Sequence, residues 1–500
     1  MLAACGATGS NQEASTSPAR QESLAFSVDD EPSIESGRIE LPAESEDPQP
    51  RGSDGVLSLA LIQPDSFLPA EAARTDQSAV IISDLLYDGL TEAVGRDGEL
   101  RPALARSWTA DQDFVSWTFV LDRARNVTAD AVVTSLEPLA STFDGDGPTP
   151  GVPARLAAGI RSVSAVDDWT INIELERSNA GLPWLLSGLP FSVVGSEGAG
   201  TGAYVVEREA EDGVRLRRQD GDSAAPPQVE ISWVEDPTAG LELLEGGLVH
   251  GSVVPPVATP SDLAFNLVTS SVATRFYVLD PRSALLADPE LAAAVRAVIE
   301  PAALAAEHPE GAIGDGLVPM SMAGYVAGAC GDACAGRPEV VDTIDPPARP
   351  VEIGSAGAEQ EQMAMTVADQ LSVAGIPALA EPRTPEELAS MIVAGGTDIF
   401  AFGWVAAASS ADAVLPPLLT VDSAANVARI DDRAVSEYLD MAAVTADDQQ
   451  RWGLLDAAHR RALESGRIVP VMSAVVGFGL ADEVASLSVR SDGSLDLEAD

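Results

Sequence analysis

Residues 351 to 404 leave the chain the least freedom. Val351-Glu352-Ile353 reads as a short strand, and Met363, Val367 and Leu371 then recur at i, i+4 and i+8, the apolar stripe of a helix stopped at Gly375. Ile376 to Leu379 predicts the next strand. Thr384-Pro385-Glu386-Glu387 is a capping box with proline in the first turn, and the helix it starts buries Leu388 and Ile392 before Gly395-Gly396. Asp398 to Phe402 is a buried strand, ended by Gly403-Trp404. Strand, helix, strand, helix, strand in that order demands a parallel sheet with right-handed crossovers, hence an α/β protein. Open sheets of this kind hold ligands in the crevice beyond the carboxyl ends of their strands. Gly403 and Trp404 fall there, so Trp404 reads as an aromatic wall of a ligand cleft, with a rim residue of the core as the plainer alternative.

A chain of 500 residues exceeds what one hydrophobic core serves, so two or three domains are expected. No apolar run approaches the roughly 18 residues needed to span a bilayer. The formal net charge is −49, and all 29 basic side chains are arginine. Such a surface repels polyphosphate, which excludes nucleic acid as a partner, and it disfavours docking on anionic lipid. It favours a soluble monomer.

Enzyme chemistry finds no foothold. The chain has no G-x-S-x-G elbow and no H-E-x-x-H, and without lysine there is neither a P-loop nor a Schiff base. Gly198-Ala199-Gly200-Thr201-Gly202 resembles a phosphate cradle, but Tyr204-Val205-Val206-Glu207 after it has a strand pattern where a cradle needs a helix N-terminus. No cofactor and no metal are expected. The histidines, His250, His308 and His459, lie far apart in sequence.

Three cysteines remain. Leu2-Ala3-Ala4-Cys5 matches the lipobox of bacterial lipoproteins, so Cys5 is expected to carry a lipid, with its signal segment missing from this sequence. In an oxidising compartment Cys330 and Cys334 would close a small glycine-rich loop as a disulfide. Residues 6 to 54 are rich in Ser, Glu, Asp and Pro and read as a tether too polar to order itself.

The stretch 84 to 121 carries further information. It runs Leu86-Tyr87-Asp88-Gly89-Leu90-Thr91-Glu92, then Asp97-Gly98, Pro102-Ala103-Leu104-Ala105, Ser107-Trp108 and Trp117-Thr118-Phe119. With the return strand at 198 to 204 and the run Asp398 to Trp404, this order resembles the extracellular solute-binding lipoproteins of peptide and nickel ABC importers, the dipeptide- and oligopeptide-binding type.

The resemblance covers roughly residues 55 to 500 and implies an α/β, two-lobed periplasmic-binding-protein-like fold (a venus flytrap) with an additional domain inserted in the first lobe. Lobe one would comprise 55–88, 198–262 and 466–500, the inserted domain 89–197, and lobe two 263–465. A peptide or small organic solute would be enclosed between the lobes by hinge closure and passed to an ABC permease, outside the cytoplasm and on the outer face of the cell membrane. The resemblance strengthens Trp404 and Gly403 as ligand contacts and adds Asp412, Tyr87 and Asp280, the last in place of the family's asparagine; core packing is the plainer role for Tyr87, and the start of a turn before Pro281 that for Asp280. It also exposes a departure. Peptide binders carry an aspartate soon after this tryptophan to pair with the ligand's amine, and Ala407 stands there, Asp412 matching only a later acidic position. The alternative is therefore a binding-fold lipoprotein that no longer transports and acts as a sensor or scaffold in envelope assembly, contacting a glycolipid. An envelope hydrolase on this fold is a third reading.

Overall fold

The computed structural model describes residues 55–69, 76–94, 99–141, 152–219, 225–255, 265–308, 311–331, 346–484, 487–490 and 492–497. Cys5, Cys334 and the tether lie outside these residues.

One curled sheet runs through the molecule. Its strands follow the order Ala378–Arg383, Val351–Ala356, Ile399–Val405, Phe265–Leu279, Ile468–Ala481, Gly251–Val254, Val56–Ile62, Gln228–Val234, Gly213–Arg218 and Tyr204–Ala210. The expected parallel unit is present: Val351–Ala356 pairs in parallel with Ala378–Arg383 on one side and Ile399–Val405 on the other. Local chemistry explains its helices. Thr384 and Glu387 form the capping box of Pro385–Ala394, and Gly395 leaves it at φ +83, a left-handed backbone that a side chain resists.

The centre of the sheet is built from two long strands, Ile468–Ala481 and the 15-residue Phe265–Leu279, both longer than the apolar runs Ile468 to Val471 and Phe276 to Leu279 alone suggest. These two pair antiparallel over most of their length and join the two ends of the sheet. Pro470, Gly477 and Gly479 punctuate the second strand and conceal its length. Proline cannot donate to the ladder, and the pairing slips between Arg275–Met472 and Phe276–Pro470, a bulge that accommodates it.

A separate four-stranded antiparallel sheet is built from residues of the 89–197 segment, in the order Ala105–Ala110, Ser116–Leu121, Thr170–Leu175, Ile160–Asp167. Ser116–Leu121 and Thr170–Leu175 alternate in burial, sending Trp117, Phe119, Ile171 and Ile173 to one side. The glycines near 200 serve packing. A Cβ on Gly202 would lie 2.6 Å from the Leu85 carbonyl oxygen, so the chain there passes flush against the end of helix Gln77–Leu86 before entering strand Tyr204–Ala210.

Apolar side chains gather in three main cores. One joins Leu57, Leu59, Ile81, Tyr204 and Phe478, and a second lies beneath helices Pro289–Val298 and Ala358–Val373. The largest runs from the separate sheet into the segment Trp404–Leu463 and so bonds the inserted unit to lobe two. Tyr87 belongs to the first core. It is 7% exposed and packs in this core, and burial raises its phenol above the ordinary range.

Candidate ligand site

Strand Ile399–Val405 ends where ligand crevices form, and its register fixes which side chains share a face. Phe402 lies opposite Phe276, Gly403 opposite Arg275, and Trp404 opposite Thr274. Alternation then places Phe400, Phe402 and Trp404 beside Thr274, Phe276 and Val278 on one side, with the Phe276 and Phe402 rings 5.5 Å apart. Gly403 is exposed on the opposite side.

Trp404 is more enclosed than a cleft wall. The residue is 4% exposed, and its indole N–H donates to the Ala413 carbonyl at 2.9 Å. The loop that follows therefore folds back over the ring and spends its polar atom. The indole expected on a cleft wall is buried against the loop it holds.

That loop, residues 406 to 413, is buried along its whole length. Backbone at Gly181 and Gly188 lies against it. A Cβ on Gly188 would sit 2.0 Å from the Ala407 carbonyl oxygen, and one on Gly181 would sit 2.3 Å from Asp412 Oδ1. Ala180 donates its N–H to the Ala443 carbonyl at 2.8 Å, and Trp184 meets Trp452 edge to face at 5.2 Å. Ala407, where the family resemblance would put an amine-binding aspartate, thus lies beneath Gly188.

Asp412 is engaged by its own chain. Arg451 Nε donates to Oδ1 at 2.8 Å, and the Trp452 indole N–H donates to Oδ2 at 2.9 Å. Both charged side chains are almost wholly buried, and Asp448 adds a second carboxylate to Arg451 at 2.7 Å. Burial alone would pull the guanidinium down, but Asp412 and Asp448 outweigh it and hold Arg451 above its ordinary range. A carboxylate so placed anchors helix Asp448–Glu464 to the loop. Neither Arg451 nor the two glycines stood out in the sequence. An arginine on the apolar side of a helix and an alanine-serine run after a glycine-tryptophan pair were the available signals.

Asp280 is likewise engaged within the chain. Its carboxylate accepts from Arg282 Nε at 3.0 Å and Nη2 at 2.8 Å, and from the Arg282 backbone N–H at 2.9 Å. It is a turn cap ahead of helix Pro289–Val298, the role its neighbour Pro281 suggested. Cys330 is held in a disulfide.

Three hydroxyls near the end of this strand have no hydrogen-bond partner: Thr274 Oγ1, Ser409 Oγ and Ser410 Oγ. Their residues are 1%, 6% and 0% exposed. Ala406 N–H donates to the Val272 carbonyl, which keeps the loop running alongside the strand that carries Thr274. Ala323 pins the other end, donating to the Ser409 carbonyl and accepting from Ala411 N–H. Other buried polar side chains are likewise without a hydrogen-bond partner, Tyr277 Oη and Ser355 Oγ among them.

A hollow of about 1050 Å³ is lined by Asp84, Asp88, Thr128, Tyr204 and Arg490 among others. Arg490 stands in it against Asp84 and Glu92, and burial pushes the Asp84 carboxyl up to about 7. Among the described residues no group of His, Cys, Asp and Glu is arranged to hold a metal, and no helix is long and apolar enough to cross a membrane.

Comparison with known proteins fits this architecture. The structure is similar to that of the periplasmic murein tripeptide binding protein MppA in its unliganded open form, with a TM-score of 0.70, 18% identity, and 89% of this chain and 96% of that one covered. It is also similar to DppA from Helicobacter pylori in complex with the peptide STSA, with a TM-score of 0.63, 17% identity, and 89% and 98% covered. In sequence, the chain is 29% identical over 188 residues to the HTH-type transcriptional regulator SgrR of Pectobacterium atrosepticum, covering 34% of this chain and 31% of the regulator. The SgrR of Yersinia enterocolitica matches at 26% over 260 residues, 48% and 42% of the two chains. This chain thus spans less than half the length of these curated relatives. The family model of the bacterial extracellular solute-binding proteins, family 5, matches residues 99–426, more than half of the chain. The chain belongs to the family 5 bacterial extracellular solute-binding proteins.

Proposed function

We propose that this chain is the substrate-binding lipoprotein of an ABC importer, taking a peptide or small organic solute between two lobes outside the cytoplasm. One observation carries the reading. The two lobes share a single sheet, joined through the long strands Phe265–Leu279 and Ile468–Ala481. A pair of strands crossing between lobes is a hinge, and a hinge between lobes is how such proteins enclose a guest. Family membership supports it, as does the fold shared with peptide-binding proteins. The form that closes on solute is favoured only by as much as the solute binds it better than the open one. Anchorage through Cys5, a monomeric state, an ABC permease partner and the absence of enzymatic activity belong to the same proposal.

The alternative is a non-transport lipoprotein acting as a sensor or scaffold in envelope assembly. Ala407 beneath Gly188, and Asp412 closed off by Arg451, favour it, because the usual peptide anchor is absent. The partial likeness to regulator proteins points the same way.

A thermal-shift screen on the full chain separates the readings. Solute at 100 times its Kd adds about 2.7 kcal/mol of stability. The importer reading predicts shifts from peptides or small solutes. Shifts from a glycolipid headgroup alone would favour the sensor, and turnover of an ester or peptide would overturn both.

A further inference from the structure

We infer that Arg490 and the carboxylates around it form a proton-operated latch. While the cluster holds a proton, it fastens the hairpin of strands Ser488–Val489 and Leu495–Asp496 to helix Gln77–Leu86 and strand Thr91–Val94, and it loosens when the proton leaves. The device does not depend on which solute the chain takes, or on its taking one.

Three elements meet at one guanidinium. The two short strands pair antiparallel, and Arg490 opens the turn between them, its backbone N–H donating to the Ser494 carbonyl at 2.9 Å. From there Nη1 reaches Asp84 on helix Gln77–Leu86 at 3.2 Å, and Nη2 reaches Glu92 on strand Thr91–Val94 at 2.6 Å. Asp496, on the hairpin itself, lies 3.9 Å from Nη2. Asp492 accepts from the Ser494 N–H and hydroxyl, and its charge also bears on Asp84.

Charge does not balance here. A guanidinium with 13% of its side chain exposed faces Asp84, Glu92 and Asp496, all within 3.9 Å, and Asp492 adds a fourth acid. The arginines elsewhere in the hollow are engaged and leave that surplus in place. Arg101, opposite Glu92 in the ladder, pairs with Glu99; Arg125 pairs with Asp88; Arg218 donates to the Ala225 carbonyl. Like charges held this close and this poorly hydrated do not all stay ionised, and one bound proton relieves them. Among the described residues no group is arranged to hold a metal, and here the guanidinium fills the middle of the cluster, so a proton is the cation it can add.

Asp84 is the member best placed to take it. Burial is the largest influence on its carboxyl and, with Asp492 and Glu92, outweighs Arg490 and lifts it to about 7. Its side chain keeps 29% of its surface exposed and lines the hollow, which gives solvent a route to it. Opening the hairpin undoes these conditions. Leu487, Val489, Leu495 and Leu497 leave the core they share with Leu85 and Leu86, and Arg490, Asp492 and Asp496 leave Asp84. The carboxyl then returns toward its ordinary 3.8. The closed hairpin thus keeps a proton, from about pH 4 to 7, that the open one has lost. Its hold is strongest at the acid end and fades as pH rises to 7, the opening constant growing by up to about tenfold per pH unit.

Hydrogen exchange of the full chain, corrected for the intrinsic pH dependence of amide exchange and read by mass spectrometry, tests this. Peptides covering 487–497 should be at least about tenfold better protected at pH 5.5 than at pH 8.5. Asp84→Asn should show equal protection at the two pH values, because an amide has no proton to lose. Glu92→Gln leaves Arg490 and Asp84 in place but removes a charge that raises the Asp84 carboxyl, so the midpoint of the change should move to lower pH. Carbon-13 spectra of chain labelled at the aspartate carboxyls should contain one resonance titrating near pH 7 that Asp84→Asn removes. Equal protection of the unmodified hairpin at both pH values would overturn the proposal. So would a pH dependence that survives Asp84→Asn, or the lack of any aspartate titrating near 7.

Discussion

Asp412 and Arg451 meet at 2.8 Å with 4% and 2% of their side-chain surfaces exposed, across 39 residues of sequence. The pair joins the loop after strand Ile399–Val405 to helix Asp448–Glu464, and Gly181 of the inserted unit rests on the carboxylate. Replacing one partner strands a buried charge. Arg451→Met should cost about 3–5 kcal/mol in urea unfolding, and the double change Asp412→Asn with Arg451→Met should cost less than Arg451→Met alone. Equal losses would mean that the pair is solvated in solution.

His459 gives a pH dependence of known sign. It is 2% exposed, and its Nε2 accepts the Leu317 N–H at 3.0 Å, which needs the neutral ring. Burial, with Arg460 adding to it, lowers its pKa from 6.5 to about 3. The unfolded chain takes a proton below 6.5 and the folded chain refuses it until about 3. Stability from this group is therefore complete above pH 6.5 and falls as pH drops toward 3, by about 1.4 kcal/mol per unit. Between pH 7.5 and 5 the loss should reach about 2 kcal/mol, and His459→Gln should remove that part of the slope. Denaturant melts at the two pH values decide it.

Two glycines should respond in opposite directions. A side chain at Gly188 would enter the Ala407 carbonyl, so Gly188→Val should destabilise by about 1–3 kcal/mol or more and loosen the inserted unit from lobe two. Gly453 lies inside helix Asp448–Glu464 with open space where its Cβ would go, so Gly453→Ala should stabilise by about 0.5–1 kcal/mol. Calorimetric melting of the two variants measures both signs.

Trp404 tests how much of the loop's order depends on one ring. Trp404→Ala should cost about 3–5 kcal/mol for the cavity it leaves. Trp404→Phe keeps most of the apolar surface but leaves the Ala413 carbonyl without its donor, at about 1 kcal/mol. If both changes cost the same, the hydrogen bond and not the ring secures the loop.

Much of the fold was legible because local rules and global fold agree. The box at Thr384, the stop at Gly395 and the spacing of Met363, Val367 and Leu371 each state the same parallel unit that the sheet contains. The long central strands were not legible, since Pro470 and the glycines at 477 and 479 break the usual strand pattern and only pairing with Phe265–Leu279 keeps the chain extended. The site was read less well for a different reason. Which partner a buried carboxylate takes depends on contacts far apart in sequence, 39 residues for Asp412, and no local pattern announces Arg451 as its mate. Asp280 shows the converse, since its partner Arg282 was two residues away and the turn at Pro281 was the better guide. The partnerless hydroxyls of Ser409 and Ser410 could not be foreseen, because partnerlessness belongs to the packed structure alone.

The central claim is that two lobes on a shared pair of strands draw together around a solute. Small-angle scattering of the full chain, with and without the probe that gives the largest thermal shift, tests it most directly. A smaller radius of gyration is expected with the probe at about 100 times its Kd, alongside roughly 2.7 kcal/mol of added stability. Stabilisation with an unchanged radius, or a radius that grows, would contradict it.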